Sequence, residues 1–320
     1  MKKAALIMAT ILLIAGLAVS FAAFASAGFD FRNLSTVKAE TKTYTAGGTF
    51  DRIEIRENTA DVTFAVSEDE TATVVCRETA PTVHTVTVED GTLKIVSGET
   101  IGWRNLFELS FESPSVTVYL PKKAYASLSI VTQTGDVEVP DWLTFSSAAI
   151  HGSTSDVRFD ATVKNLLSIE TSTGEIIVNG ASAEAIECKA TTGDVRMTNV
   201  ACEGDVYVKV STGEAFLEGL TCRDLKSDGS TGDVVLQDVL AKGCISIERS
   251  TGDVALRNSD AAEVWVKTST GDVTGTLRTE KIFVTKTSTG DVHVPESASG
   301  GKCSITTATG DILIRIVPNA

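Results

Sequence analysis

Residues 230–256 read STGDVVLQDVLAKGCISIERSTGDVAL, in which Ser-Thr-Gly-Asp-Val occurs twice, 20 residues apart. Outward from this stretch the same beat continues. Thr-Gly followed by an acid occurs nine times between residues 134 and 311, with glycines at Gly135, Gly174, Gly193, Gly213, Gly232, Gly252, Gly271, Gly290 and Gly310. Thr154-Ser155-Asp156 fills the one gap, so the registers number ten and their spacing stays at 19 or 20 residues. A period this strict predicts a solenoid, each repeat being one coil stacked on the last.

Offsets from the glycine give the coil its shape. Two positions after it stand Val137, Val157, Ile176, Val195, Ala215, Val234, Val254, Val273, Val292 and Ile312. Four after it stand Val139, Phe159, Val178, Met197, Leu217, Leu236, Leu256, Val294 and Ile314, with Gly275 the exception. Seven and five before it come pairs such as Leu167/Ile169, Val206/Val208 and Val264/Val266. Polar residues alternate with these, so the period is two and the elements are strands. Four apolar side chains per coil cannot offset the ordering of some twenty residues, so no coil folds alone.

Glycine suits a corner that needs positive φ, and Ser155 is expected to be less favourable there. The far end of each coil is marked by Gly180, Asn199, Gly219, Asp238 and Asn258. Parallel coils about 4.8 Å apart give a rod on the order of 48 Å long for the ten registers. The pattern extends back through Ile53, Ile55, Val62 and Phe64, and again through Leu109, Phe111, Val118 and Leu120. Between them Val86–Val96 reads as a hairpin turning at Asp90-Gly91. The expected organisation is an anchor or signal over residues 1–28 and a linker over 29–45. Irregular early coils then occupy 46–120, and regular repeats 121–320.

Composition narrows the partners. The net charge of −14 argues against nucleic acid, since phosphate binding needs clustered Lys and Arg. Lys2-Lys3 precede an uncharged stretch from Ala4 to Gly28, long enough as a helix to cross a bilayer core. The length favours an uncleaved single-pass anchor with the lysines inside, and cleavage near Ala27 after Ala25-Ser26-Ala27 is the alternative. Either way residues 29–320 are expected outside the cytoplasm. Of the six cysteines, Cys202 and Cys222 share one offset in adjacent coils and could be bridged or stacked as thiols. Cys188 and Cys303 fall on inward offsets, as small hydrophobes do.

The Ser-Thr-Gly-Asp-Val corners follow an apolar segment and the opening Phe50-Asp51-Arg52-Ile53-Glu54-Ile55. Together they resemble a bacterial β-strand-repeat family described as candidate adhesins of unknown function. The resemblance covers roughly residues 46–317. It implies a single-stranded, right-handed parallel β-helix on the cell envelope, with adhesion or envelope-stress roles and no established enzymatic activity. It brings no catalytic residues, and Ser155 and Gly275 are this chain's departures from it.

The corner acids form a column: Asp136, Asp156, Glu175, Asp194, Glu214, Asp233, Asp253, Asp272, Asp291 and Asp311. Neighbours ~4.8 Å apart repel by roughly 0.9 kcal/mol even in water, so something must compensate them. One answer is hydrogen bonding to corner N–H and hydroxyl groups as in an Asx turn. The other is Ca2+ held between coils by carboxylate and carbonyl oxygens. Catalysis fits poorly, because the acids are spread evenly instead of gathered. His84, His151 and His293 fall in different coils, form no triad and read as incidental. Inward threonines such as Thr171, Thr268 and Thr307 read as a structural hydroxyl ladder, not an ice-binding array.

Outward positions should be polar, so apolar exceptions point to a partner. Phe216, Val235 and Ala255, three after the corner, fall in adjacent coils and form the best candidate contact. Tyr207, Trp265 and Val284 also point outward on the opposite strand. The apolar last strand, residues 312–317, lacks a capping segment and is either shielded or used for end-to-end association. The expected function is a non-enzymatic display or adhesion scaffold for a protein or glycan. An envelope-stress regulator is the alternative, and a polysaccharide-active enzyme the third reading.

Overall fold

A computed structural model describes residues 2–26, 28–29, 40–78, 82–99 and 113–318. Leu109, Phe111, most of the interval 29–45 and the chain end at 319–320 lie outside the described residues. The chain opens with the helix Lys2–Ser26, of which Leu6–Ser26 is apolar and long enough to cross a membrane. The remainder is all β. Strands of successive coils stack in parallel register, as in Val195 on Ile176 and Ala215 on Val195. The linker expected over 29–45 ends earlier, because Glu40–Thr45 is already a strand.

Each coil has three sides. The strand after the glycine corner belongs to a fourteen-stranded sheet. A second corner follows, where Gly180, Asn199, Gly219, Asp238 and Asn258 all take left-handed φ of 50–64°. These are the residues expected at the looser end of the coil. Next comes a two-residue strand such as Ala201–Cys202, and then the longer strand leading back to the glycine.

Four inward side chains per coil proved an undercount. In one coil Val195, Met197, Val200, Cys202, Val206, Val208 and Val210 are all buried. The two-residue strand is too short to show alternation, which is why Val200 and Cys202 escape a period-two reading. Cys202 and Cys222 are free thiols, and Cys202 Sγ donates to the carbonyl oxygens of Glu184 and Asp205. Burial pushes the Cys222 thiol up to about 12.

Coil order departs from chain order at both ends. Strand Arg52–Arg56 lies between Thr92–Glu99 and Ala124–Thr132. Asp61–Val66 likewise lies between Ser115–Leu120 and Val137–Val139. At the other end Gly301–Thr306 pairs with both Glu263–Lys267 and Lys281–Lys286, and Ile312–Ile316 with both Val273–Leu277 and Val292–His293. The last coil is therefore slotted between its two predecessors; of the two expectations for the final strand, shielding is the one met, supplied by the preceding coil and not by a long loop. Apolarity explains the order. Cys303, Ile305, Ile312 and Ile314 are fully apolar inward residues, whereas the displaced coil offers Phe283, Thr285, Val292 and Val294.

The early region carries the hairpin, Thr82–Glu89 antiparallel to Thr92–Glu99, turning through Asp90 and Gly91 at positive φ. Glu40–Thr45 and Thr73–Glu78 add an antiparallel pair beyond Ser115–Leu120.

Candidate functional site

The glycine corners stack directly on one another. Gly193, Gly213, Gly232, Gly252, Gly271 and Gly310 have φ of 124–146°, and a Cβ on each would lie 2.0–2.1 Å from the carbonyl oxygen of the corner beneath. Gly135 lacks the positive φ, yet a Cβ there would meet Ala60 O at 1.9 Å. Close approach is therefore the common requirement, and left-handed backbone the usual accompaniment. Ser155 solves its corner differently: its side chain turns inward against Gly152, leaving a buried hydroxyl without a partner. Gly275, the other departure, allows close approach to Leu256 O at a bulge, and Leu277 fills the core in its place.

The acid column is wired between coils. Asp136 Oδ1 accepts the N–H of Asp156 at 2.9 Å, and Asp156 Oδ1 that of Glu175 at 2.7 Å. The same bond joins Asp194 to Glu214, Asp233 to Asp253, Asp253 to Asp272, Asp272 to Asp311 and Asp311 to Asp291, at 2.7–2.8 Å. A charge-assisted hydrogen bond contributes about 1.5–3 kcal/mol, less when exposed to solvent, which offsets roughly 0.9 kcal/mol of repulsion. The acceptor was expected to serve its own corner; it serves the next one.

Two links are absent among the described residues, and both follow a glutamate, Glu175 and Glu214. Arg196 covers the first of these gaps, between Glu175 and Asp194, and reaches Glu214 on its far side. Its Nε lies 2.7 Å from Glu175 Oε1, and its Nη2 lies 3.6 Å from both Asp194 Oδ2 and Glu214 Oε2. Arg196 was missed in the sequence, where the usable signal was a basic side chain three after a corner flanked by glutamates. Among the described residues no group of three or more His, Cys, Asp or Glu side chains is arranged to hold a metal.

Inward threonines bond the corners from within: Thr171 Oγ1 donates to Ser155 O at 3.1 Å and Thr307 Oγ1 to Gly271 O at 3.1 Å. Arg249 occupies the same inward position in its coil, with Gly229 opposite its guanidinium. It donates to Ser227 Oγ at 3.1 Å, and burial lowers it to about 10.

His84 is not incidental. It is buried, with Nε2 3.0 Å from Glu57 Oε1 and Nδ1 3.1 Å from Glu78 Oε1. Glu78 also accepts from Tyr44 OH at 3.1 Å and pairs with Lys42 Nζ at 2.5 Å. Burial alone would depress His84, but hydrogen bonds to Cys76 and Glu57 outweigh it and raise it to about 10. Burial works to raise Glu78, but its bonds to Lys42, His84 and Tyr44 prevail and lower it. Because Glu57, Glu78 and His84 come from three separate strands or their ends, no local spacing announces the cluster.

The outward column three after the corner is continuous. Ile177, Arg196, Phe216, Val235, Ala255 and Thr274 lie in register across six coils. The Arg196 guanidinium stands 5.8 Å from the Phe216 ring centre. Tyr207, Trp265 and Val284 point outward but do not touch as a column. Lys226 and Ser246 separate the first two, and Ser304 of the inserted coil separates the last two. Tyr207 lies between Lys189 and Lys226, and Lys302 covers Trp265 at 4.2 Å. On the same sheet face as the column, Asp61, Asp136, Asp156, Glu138 and Arg158 line a shallow groove of about 470 Å³.

A family model described as Toastrack DUF4097 matches residues 50–207 and 203–320. No curated protein matches the sequence. Among solved structures, a candidate adhesin from Parabacteroides distasonis ATCC 8503 is 18% identical with a TM-score of 0.47, covering 86% of this chain and 98% of its own. A candidate lipid-binding protein from the same organism is 18% identical with a TM-score of 0.47, covering 75% and 95%. A candidate adhesin from Bacteroides fragilis NCTC 9343 is 16% identical with a TM-score of 0.40, covering 88% and 97%. Likeness at that level says nothing of function.

Proposed function

The chain belongs to the Toastrack DUF4097 family, and from that premise we propose that it is a non-enzymatic display scaffold, held at a membrane by Leu6–Ser26 and binding a protein or glycan through its sheet face. The observation that carries the reading is the apolar run Phe216, Val235 and Ala255, in register across three coils of an otherwise strongly acidic protein. Phe216 and Ala255 are half-buried and Val235 is 9% exposed, so the run offers a partner only the outer faces of these side chains, held on a rigid ladder suited to presenting a fixed surface. Phe216 projects outward, so its replacement leaves the core intact.

The test is binding of cells displaying the full chain to a panel of immobilised glycans and matrix proteins. Phe216→Asp is expected to reduce retention about tenfold, the scale of losing a buried aromatic contact, while the melting temperature stays unchanged. Retention equal to the parent on every surface that holds the parent would remove this column as the binding face.

A further inference from the structure

We propose that the C-terminal end of the solenoid is a self-association surface, at which a second copy of this chain pairs its outermost strand, Lys281–Lys286, antiparallel to the first about a two-fold axis through Phe283. The inserted last coil makes Lys281–Lys286 outermost. One edge of the strand is bonded to Gly301–Thr306, and the other has no partner among the described residues. An unpaired ladder edge is a template for another strand.

At the opposite end the edge strand of the other sheet is Glu40–Thr45, also six residues long and bearing the charges of Glu40 and Lys42. Of the two lysines on Lys281–Lys286, Lys281 is buried with its Nζ 2.6 Å from Asp260 Oδ1, so Lys286 alone stands as an exposed charge on that edge strand. At the C-terminal end, Ile282 and Val284 project outward and are 45% and 52% exposed. Phe283 and Val294 point inward but are only partly covered, because no further coil lies over them.

The strand is complementary to itself in one register. Centred on Phe283, Ile282 opposes Val284 of the second copy and the two Phe283 side chains meet over the core. Glu280, which is exposed, opposes Lys286 of the second copy. Among the described residues Lys286 has no carboxylate partner, while Glu280 accepts only the hydroxyls of Ser297 and Ser299. A shift to a centre between Phe283 and Val284 would oppose an inward with an outward side chain and set Lys281 against Lys286, so parity and charge both reject it. The two-fold axis also carries the two acid columns to opposite sides of the joined rods, keeping Asp291 of one copy away from Asp291 of the other.

This pairing goes beyond the sheet-face reading, since Phe216, Val235 and Ala255 take no part in it. The test is sedimentation velocity of the full chain in detergent micelles over a micromolar concentration series. The parent is expected to form dimers. Lys286→Glu sets Glu280 against a glutamate in two symmetric pairs and is expected to weaken the dimer about tenfold. Adding Glu280→Lys to the same chain is expected to restore it. Both substituted positions are exposed, so each variant should melt with the parent. A parent that stays monomeric, or a dimer that Lys286→Glu leaves untouched, as association through the apolar helix would, overturns the proposal.

Discussion

Gly232 sits at φ +124°, and a methyl group added there would lie 2.0 Å from the carbonyl oxygen of Gly213. Gly232→Ala is therefore expected to cost about 3 kcal/mol or more in chemical denaturation, combining backbone strain with a backbone clash that no rotamer relieves. Ser155→Ala should act in the opposite direction. It removes a buried hydroxyl that has no partner, and a gain of up to about 1 kcal/mol is expected from the same measurement. Glycine at the corners was legible because the beat repeats and the residue type is diagnostic. The close approach behind it was not, since it involves atoms of the neighbouring coil. Arg196 shows the same limit: its value lies in three acids drawn from three coils.

At the scale of elements, the acid column behaves as one hydrogen-bonded ladder. Asp253 accepts from Asp272 and donates its own N–H to Asp233, so Asp253→Ala should lower stability by about 1–2 kcal/mol. Asp253→Asn keeps an acceptor in place and should lose much less. Because the amides already compensate the carboxylates, millimolar calcium should leave the melting temperature within a degree or so of the chelated protein, about the resolution that a 0.3 kcal/mol effect would give. A rise of several degrees would assign the column to the metal instead. In the early region, His84 joins the Glu57 end of one strand to Glu78 of the antiparallel pair. It holds its proton to about 10 in the fold, against an ordinary value of 6.5. The folded chain thus binds more protons between those values, so this stabilisation is complete below about 6.5 and lost as pH rises through about 10. Glu78 is lowered from 4.5, so its share is present above that value and lost as pH falls below it. The urea midpoint of the parent should fall between pH 8 and 10.5, and His84→Gln should flatten that decline; equal slopes would refute the clamp.

For the whole molecule, the two longer strands of each coil, both corners and the stacking direction were readable because a period of 19 or 20 residues samples each position ten times over. The coil order was not readable, since the repeat says which residues share an offset but not which coils are neighbours. Competition for the buried slot decides that, and Ile312–Ile316 prevails over Val292–His293 by its larger apolar inward face. Removing residues 301–320 should therefore free the coil at 281–294 along with them. Its amides would lose hydrogen-exchange protection while those of residues 137–256 keep theirs.

The most direct test of this architecture is disulfide trapping of the coil order. Outward residues directly opposite in neighbouring parallel strands are about 4.8 Å apart, within reach of a disulfide, while those two coils apart are not. Trp265 opposes Ser304, and Ser304 opposes Val284. Trp265→Cys with Ser304→Cys should close on mild oxidation, and Trp265→Cys with Val284→Cys should stay open. Closure of the second pair and not the first would mean that the coils follow chain order and that the last strand, not its predecessor, forms the end of the rod.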